Sequence, residues 1–284
     1  MLIFETKQTL NAHFSANSLR NFSIGFVPTM GALHDGHLSL IKTSLENNFT
    51  TVISIFVNPT QFNNPDDLNK YPKDLDSDIK KIKKISEKVI IFAPSVDEIY
   101  GNKLENAIFD FDDLDLVMEG KHRPGHYNGV ATVVKKLFDI VTPKNAYFGE
   151  KDFQQLMIVK KMVEKLALPI NVVCCSIFRE PNGLAMSSRN ERLTPKTRND
   201  ARIIYEILQE VQKMYSNPLI PIKKINDWVK RKFKTLDFLE LEYFEIAEEE
   251  NLRTCKRKTK FKNFRAFIAV NLNNVRLIDT VSLK

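Results

Sequence analysis

The run Thr50–Val57, TTVISIFV, limits what this chain can fold into more than any other stretch. It is β-branched and nearly all apolar, so neither face of a strand made from it suits water. Such a run is a central strand of a parallel sheet with both faces covered. A second apolar run, Ile24–Val27, breaks at Pro28, passes through Gly31 and resumes with helical spacing at Leu38, Ile41 and Leu45. Strand, tight loop and helix make the first half of a βαβ unit. Open sheets of this class bind ligands beyond the carboxyl ends of their strands. The loop Asn58–Phe62 after Thr50–Val57 is therefore expected to face the same crevice as the loop after Ile24–Val27.

That first loop carries Thr29, Met30, His34 and His37, with Gly36 allowing close backbone approach. Imidazoles three residues apart near a helix start share one face, beside N–H groups not yet paired within the helix. Those N–H groups and the positive end of the helix dipole suit a phosphate. Two imidazoles can then donate to phosphate oxygens as charge develops in a transition state. A His-x-x-His pair also suits zinc, but no carboxylate or Cys stands at the spacing of the zinc-protease helix.

The remaining chain continues the alternation. Strands are expected at 89–92, 145–148 and 170–178, with a weaker candidate at 108–111 and turn chemistry at 63–67. Asp74, Asp76 and Asp78 open a Lys-rich helix, where acids suit the dipole and Lys80–Lys84 read as a solvated face. Met118–Tyr127 is a polar, Gly-punctuated loop opening a helix. Gly149-Glu150-Lys151-Asp152 forms a second strand–Gly–helix junction, again fit for phosphate through its Lys, though it is not a P-loop. In Gly183–Asn190, Ser187, Ser188 and Arg189 can grip a triphosphate; equally, the Ser residues can cap the helix after Pro195. Beyond Pro195 the pattern changes to a helix reaching Tyr215, a break at Pro218–Pro221, a helix with Trp228 and Phe233, and strands at 239–246, 264–271 and 275–283. The fold class read from this is α/β: a Rossmann-like parallel sheet over residues 1–177, then a smaller α+β domain over 178–284.

Charge adds a weaker constraint. Lys and Arg number 42 against 35 Asp and Glu, a net charge of +7, which favours anionic partners. No aromatic-and-basic module or zinc-finger spacing supports nucleic-acid binding. Cys174, Cys175 and Cys255 form no even framework, and the adjacent pair inside an apolar run is expected to be packed thiols in a reducing compartment. The start of the chain carries no charged-then-apolar signal and no apolar run approaches 18 residues, so the expectation is a cytoplasmic protein away from membranes.

The segment Pro28–His37, PTMGALHDGH, resembles the signature of the pantothenate synthetase (pantoate–β-alanine ligase) family, within the nucleotidyltransferases that bear a His-x-Gly-His-type motif. Further blocks share the likeness in order: SIFVNPTQF, Tyr71-Pro72, MEGKHRPGHYNGV, FGEKDFQQL and GLAMSSRN, the last similar to the synthetase Lys-Met-Ser-Lys-Ser loop. Beyond Arg198 the likeness thins to Arg276-Leu277-Ile278-Asp279.

The resemblance implies that pantoate and ATP give pantoyl adenylate and pyrophosphate, after which β-alanine attacks to give pantothenate and AMP. Another adenylyltransferase of the same superfamily is the alternative, but it would not need the paired amides Gln61 and Gln155. By the same resemblance His34, His37 and Lys151 are catalytic. ATP falls to Met30, His34, His37, Gly149, Lys151, Asp152, Phe178, Met186, Ser187, Ser188 and Arg189. Pantoate falls to Met30, Gln61, Phe62 and Gln155, with Arg123 and His126 in support. Mg2+ is implied with Asp78 as its ligand, Ser77 replacing a second acid; Thr60 stands where Met is common. A homodimer, and a C-terminal domain acting as a lid over the active site, are also implied.

Overall fold

A computed structural model describes residues 1–283. The chain divides into two compact units, Met1–Glu150 with Gln154–Ser176, and Lys151–Phe153 with the chain from Ile177 onward.

The first unit is built on six strands: β1 (Leu2–Phe4), β2 (Ile24–Thr29), β3 (Thr50–Ile55), β4 (Ile90–Phe92), β5 (Asn145–Gly149) and β6 (Asn171–Cys175). Their order is β1-β4-β3-β2-β5-β6 and every pairing is parallel. The chain winds outward from β2 in both directions, so the topological switch lies between β2 and β5. Helices α1 (Lys7–Ala16), α2 (Asp35–Asn47), α3 (Leu75–Lys83), α4 (His126–Val141) and α5 (Phe153–Lys165) connect the strands.

Neighbouring residues of β3 point to opposite faces, and Val52 and Ile53 are both fully buried, as a doubly covered strand requires. One face joins Val27, Ile53 and Ile91 to Leu38 and Ile41 of α2 and Ile82 of α3. On the other, Phe26 meets Phe138 of α4 edge to face, with ring centroids 6.2 Å apart.

Several expectations need correction. Residues 108–111 are not a strand, because the N–H groups of Ala107 and Phe109 donate to Thr132 Oγ1 and Asn128 Oδ1 instead of a neighbouring strand. The turn at 63–67 includes a short helix, Pro65–Asn69, started by Asn64, whose side chain accepts from the Asp66 N–H. β6 stops at Cys175 and is an edge strand; Cys174 is exposed there, and only Cys175 is partly buried. That burial pushes the Cys175 thiol up to about 11.

The second unit carries an antiparallel sheet of β7 (Glu240–Glu248), β8 (Phe264–Leu272) and β9 (Val275–Leu283) with helices α6 (Ile203–Ser216) and α7 (Ile222–Phe233). Ile204, Ile207, Leu208 and Val211 form the buried stripe of α6 and pack with Ile225 and Val229 of α7 and Ala266, Ile268 and Val270 of β8. The helix expected from Pro195 to Tyr215 is two helices: Pro195–Asp200 ends before α6 begins. Asn199 and Asp200 stand at the junction, residue types that favour helix ends over helix interiors. No helix among the described residues is long and apolar enough to cross a membrane.

Candidate active site

The loop from β2 to α2 is built by backbone strain held in place. Gly31 and Ala32 both take left-handed φ values, 75° and 50°, a conformation that Ala adopts only where its surroundings demand it. Thr29 Oγ1 donates to the Ser54 carbonyl at 2.7 Å and accepts from the Gly31 N–H at 3.2 Å, tying the loop to β3. Asp78 of α3 accepts from the N–H groups of Ala32 at 2.9 Å and Leu33 at 2.7 Å. Burial holds the Asp78 carboxyl above its ordinary range, with those two donors pulling the other way.

His34 follows as the N-cap of α2, and His37 sits at its third position. Their rings stack with centroids 4.0 Å apart. His37 Nδ1 accepts from the His34 N–H at 3.3 Å. An Nδ1 acceptor leaves the proton of the neutral ring on Nε2, so His37 offers an N–H donor from its outer nitrogen.

The loop after β3 presents Gln61, which is buried. Its Oε1 accepts from Asn58 Nδ2 at 3.1 Å, and its Nε2 lies 3.0 Å from Met30 Sδ. Asn58 is itself fixed by Tyr100, whose hydroxyl donates to Asn58 Oδ1 at 2.7 Å. The Gln61 carbonyl meets His126 Nδ1 at 2.7 Å and accepts from Arg123 at 3.3 Å. Arg123 and His126 thus hold the backbone that presents Gln61. Gly129 completes the fit: a Cβ there would lie 2.7 Å from the Thr60 carbonyl oxygen. Phe62 packs edge to face on Tyr71, with centroids 5.7 Å apart.

The adjacent glutamines of α5 differ. Gln154 is buried and structural: its Oε1 accepts from the Glu119 N–H, while its Nε2 donates to the Leu114 and Val117 carbonyls. Gln155 is half-buried and takes no part in that set. Gly149 ends β5 at the carboxyl edge of the sheet.

In the second unit, Lys151 lies 3.5 Å from Asp152. Phe178 is 41% exposed, a large ring left to solvent. Arg179 forks onto Asp279 at 2.7 and 3.0 Å, donates to the Gly183 carbonyl, and lies 3.7 Å over the Tyr205 ring. A bridge from Arg179 to Ala185 closes the turn leading to Met186, Ser187, Ser188 and Arg189. Ser187 Oγ accepts from the Arg189 N–H, so it caps the short helix Ser188–Arg192; the helix after Pro195 is capped by Thr194 instead. Asn190 is fully buried and donates to Glu180 and the Ala185 carbonyl.

Asn58, Tyr100, Lys81 and Arg179 carry this geometry without having been singled out from sequence. Asn58 within SIFVNPTQF was the one signal available. Lys81, read as solvated, donates to the Leu33 carbonyl at 2.7 Å.

A doubly wound parallel sheet with stacked imidazoles at a helix start beyond its carboxyl edge defines a nucleotide-binding α/β enzyme. The comparisons narrow the class. The model of the pantoate-beta-alanine ligase family matches residues 2–282. The chain is 55% identical to pantothenate synthetase of Flavobacterium psychrophilum over the whole of both chains. It is 48% identical to that of Christiangramia forsetii, over 100% of this chain and 99% of the relative. Pantothenate synthetase from Thermus thermophilus superposes with a TM-score of 0.90 at 35% identity, with 99% of each chain covered. The pantoate-beta-alanine ligase of Francisella tularensis, complexed with beta-gamma ATP and beta-alanine, superposes with a TM-score of 0.80 at 36% identity, covering 99% of this chain and 97% of the other. This chain belongs to the pantoate-beta-alanine ligase family. Its reaction is the ATP-dependent ligation of pantoate and β-alanine.

Proposed function

We propose that the ligation runs through a pantoyl adenylate, with the stacked pair His34 and His37 serving the adenylyl transfer. The observation that carries this reading is the 4.0 Å stack at the start of α2, where His37 keeps its proton on Nε2. A carboxylate is a weak nucleophile, so it must be held in line with the α-phosphate while charge on the departing pyrophosphate is neutralised. His34 and His37 would donate to the phosphate oxygens as that charge grows. Lys151 would add its ammonium, and Ser187, Ser188 and Arg189 would hold the triphosphate by hydroxyl and guanidinium donors. Gly149 and Asp152 would take the ribose, and Phe178 and Met186 would lie by the adenine.

Gln61 and Gln155 would bind pantoate, since an amide can donate to the carboxylate and accept from a hydroxyl. The Asn58 bond to Oε1 supports this by leaving the Gln61 NH2 group directed away from Asn58. Met30 and Phe62 would flank the methyl groups. β-Alanine would then attack the activated carbonyl and release AMP. A homodimer and a cytoplasmic location belong to the same reading; sedimentation should give twice the mass of one chain.

Magnesium fits less well. Among the described residues no group of three or more His, Cys, Asp or Glu could hold a metal ion. The expected ligand, Asp78, has both oxygens engaged by backbone N–H groups.

The test is pyrophosphate release from ATP with pantoate present and β-alanine withheld. A burst that requires pantoate, and that Lys151→Ala abolishes in a folded protein, is the expected result. Release that waits for β-alanine would exclude the adenylate, and wild-type turnover in Lys151→Ala would remove the triphosphate assignment.

A further inference from the structure

We infer that Asp78 and Lys81 of α3 act together as a clamp on the Gly31–Leu33 backbone, making Asp78 a positioning residue for His34 and His37 and not a ligand for magnesium. The inference rests on the reading of those imidazoles given above. The two residues stand three apart on α3 and so share a face. Asp78 receives two consecutive N–H groups, one on each carboxylate oxygen, from Ala32 at 2.9 Å and Leu33 at 2.7 Å. Lys81 Nζ donates to the carbonyl of that same Leu33 at 2.7 Å. Acceptor and donor of one peptide segment are therefore both fixed from the same helix.

The clamped segment is the one that needs fixing. Gly31 and Ala32 occupy the left-handed region in succession, and for Ala that conformation is unfavourable in the absence of external contacts. Leu33 is followed directly by His34, the N-cap of α2, so a shift in the clamped peptides carries straight into the first imidazole. His37 is coupled in turn, because its Nδ1 accepts from the His34 N–H.

The same contacts argue against a metal. Asp78 is 1% exposed, whereas magnesium keeps several waters and demands near-octahedral oxygen geometry. The space on the loop side is filled: a Cβ built on Gly31 would lie 3.0 Å from Asp78 Oδ2 and 3.1 Å from Ile55 Cγ2.

The experiment measures pantoate-dependent pyrophosphate release across a magnesium titration in wild type, Asp78→Asn, Lys81→Met and His37→Ala, each checked for folding by thermal melting. Asn retains one acceptor oxygen but turns an NH2 group toward the other N–H. Asp78→Asn should lower kcat about 100-fold, the scale of a small misplacement of catalytic groups. Its half-saturating magnesium concentration should be unchanged. Lys81→Met, which gains and loses no oxygen ligand for magnesium and retains the Asp78 bonds, should lower kcat about tenfold in the same way. Both should shift the His37 imidazole 15N resonances, which report its tautomer. A raised magnesium requirement in Asp78→Asn, with kcat recovered at excess magnesium, would overturn the inference and return Asp78 to the metal. Wild-type kcat in both variants, alongside a loss in His37→Ala, would remove the clamp alone. Wild-type turnover in His37→Ala would instead remove the reading of the imidazoles. If Asp78→Asn fails to fold, Lys81→Met decides the clamp by the same kcat and 15N measurements.

Discussion

Each unit holds a loop proposed to bind phosphate, and each fixes it with a buried acid, but the acids work differently. In the first unit Asp78 accepts from two backbone N–H groups, so the charge acts on the loop directly. In the second, Asp279 is held by the Arg179 guanidinium, and the arginine in turn holds the Gly183 carbonyl before the Ser187–Arg189 segment. A carboxylate on backbone amides needs no second charge, and it fixes peptide orientation. A carboxylate on an arginine compensates charge with charge, and it reaches further from its own strand. The contrast predicts different mutational signatures: activity should suffer first in the first unit, and stability first in the second.

The largest effect expected from that contrast is on stability. Asp279 is 4% exposed, and its two carboxylate oxygens accept from the Arg179 guanidinium. Asp279→Ala should take the carboxylate from a part-buried guanidinium, leaving it the Gly183 carbonyl and the Tyr205 ring, and destabilise the second unit by about 3 kcal/mol, the low end for a buried pair. Replacing both partners by apolar residues, Asp279→Leu with Arg179→Met, should recover most of that loss. Urea denaturation measures both. A single variant as stable as wild type, or a double variant worse than the single, would break the comparison.

The adjacent glutamines sharpen it within the first unit. Gln154→Ala removes the buried bonds to the Glu119 N–H and the Leu114 carbonyl, while the Val117 carbonyl keeps the N–H groups of Gly120 and Lys121, and should cost about 1–3 kcal/mol of stability. Gln155→Ala should leave stability within about 0.5 kcal/mol and raise the KM for pantoate more than that for ATP. Equal loss of both affinities would argue against the role given to Gln155.

The same pair shows where sequence reading stops. Strands announced themselves wherever they were buried on both faces, because Thr50–Ile55 and Ile24–Val27 have no polar side to disguise them. The helix starts at His34 and beyond Gly149 were legible for the same reason: apolar spacing changes from strand to helix period across a Gly. The candidate site was legible as a set of short blocks, since loops at one sheet edge need only short stretches to carry chemistry. Its supports were not. Asp78 lies 45 residues from Leu33 and Asp279 lies 100 from Arg179, and no local pattern marks such partners. By spacing Asp78 reads as an acid in the first turn of a helix, which it also is, and by resemblance as a magnesium ligand; neither reading points to the loop it holds. Lys81 looked like part of a solvated face because charge runs usually are. The 108–111 error has a similar origin: an apolar stretch can be held extended by side chains of a helix as well as by a strand.

Lys258 provides the smallest and most local case. Lys258 stands in the basic run Lys256–Lys262, and its Nζ donates to the carbonyls of Tyr215 and of Asn217, the latter at 2.7 Å. Those carbonyls end α6, where intrahelical donors run out and a cation is favoured by the helix dipole. The ammonium also lies 4.8 Å from the centre of the Tyr215 ring. Here charge fixes backbone directly, as Asp78 does in the first unit, but with the sign reversed and without placing any proposed catalytic group. Lys258→Met keeps much of the apolar stem while removing the donor. It should lower stability by about 0.5–1 kcal/mol and leave kcat and both substrate KM values unchanged. A kinetic effect of Lys258→Met without loss of stability would show that this lysine serves a substrate, and the division of labour between the two units would have to be redrawn around it.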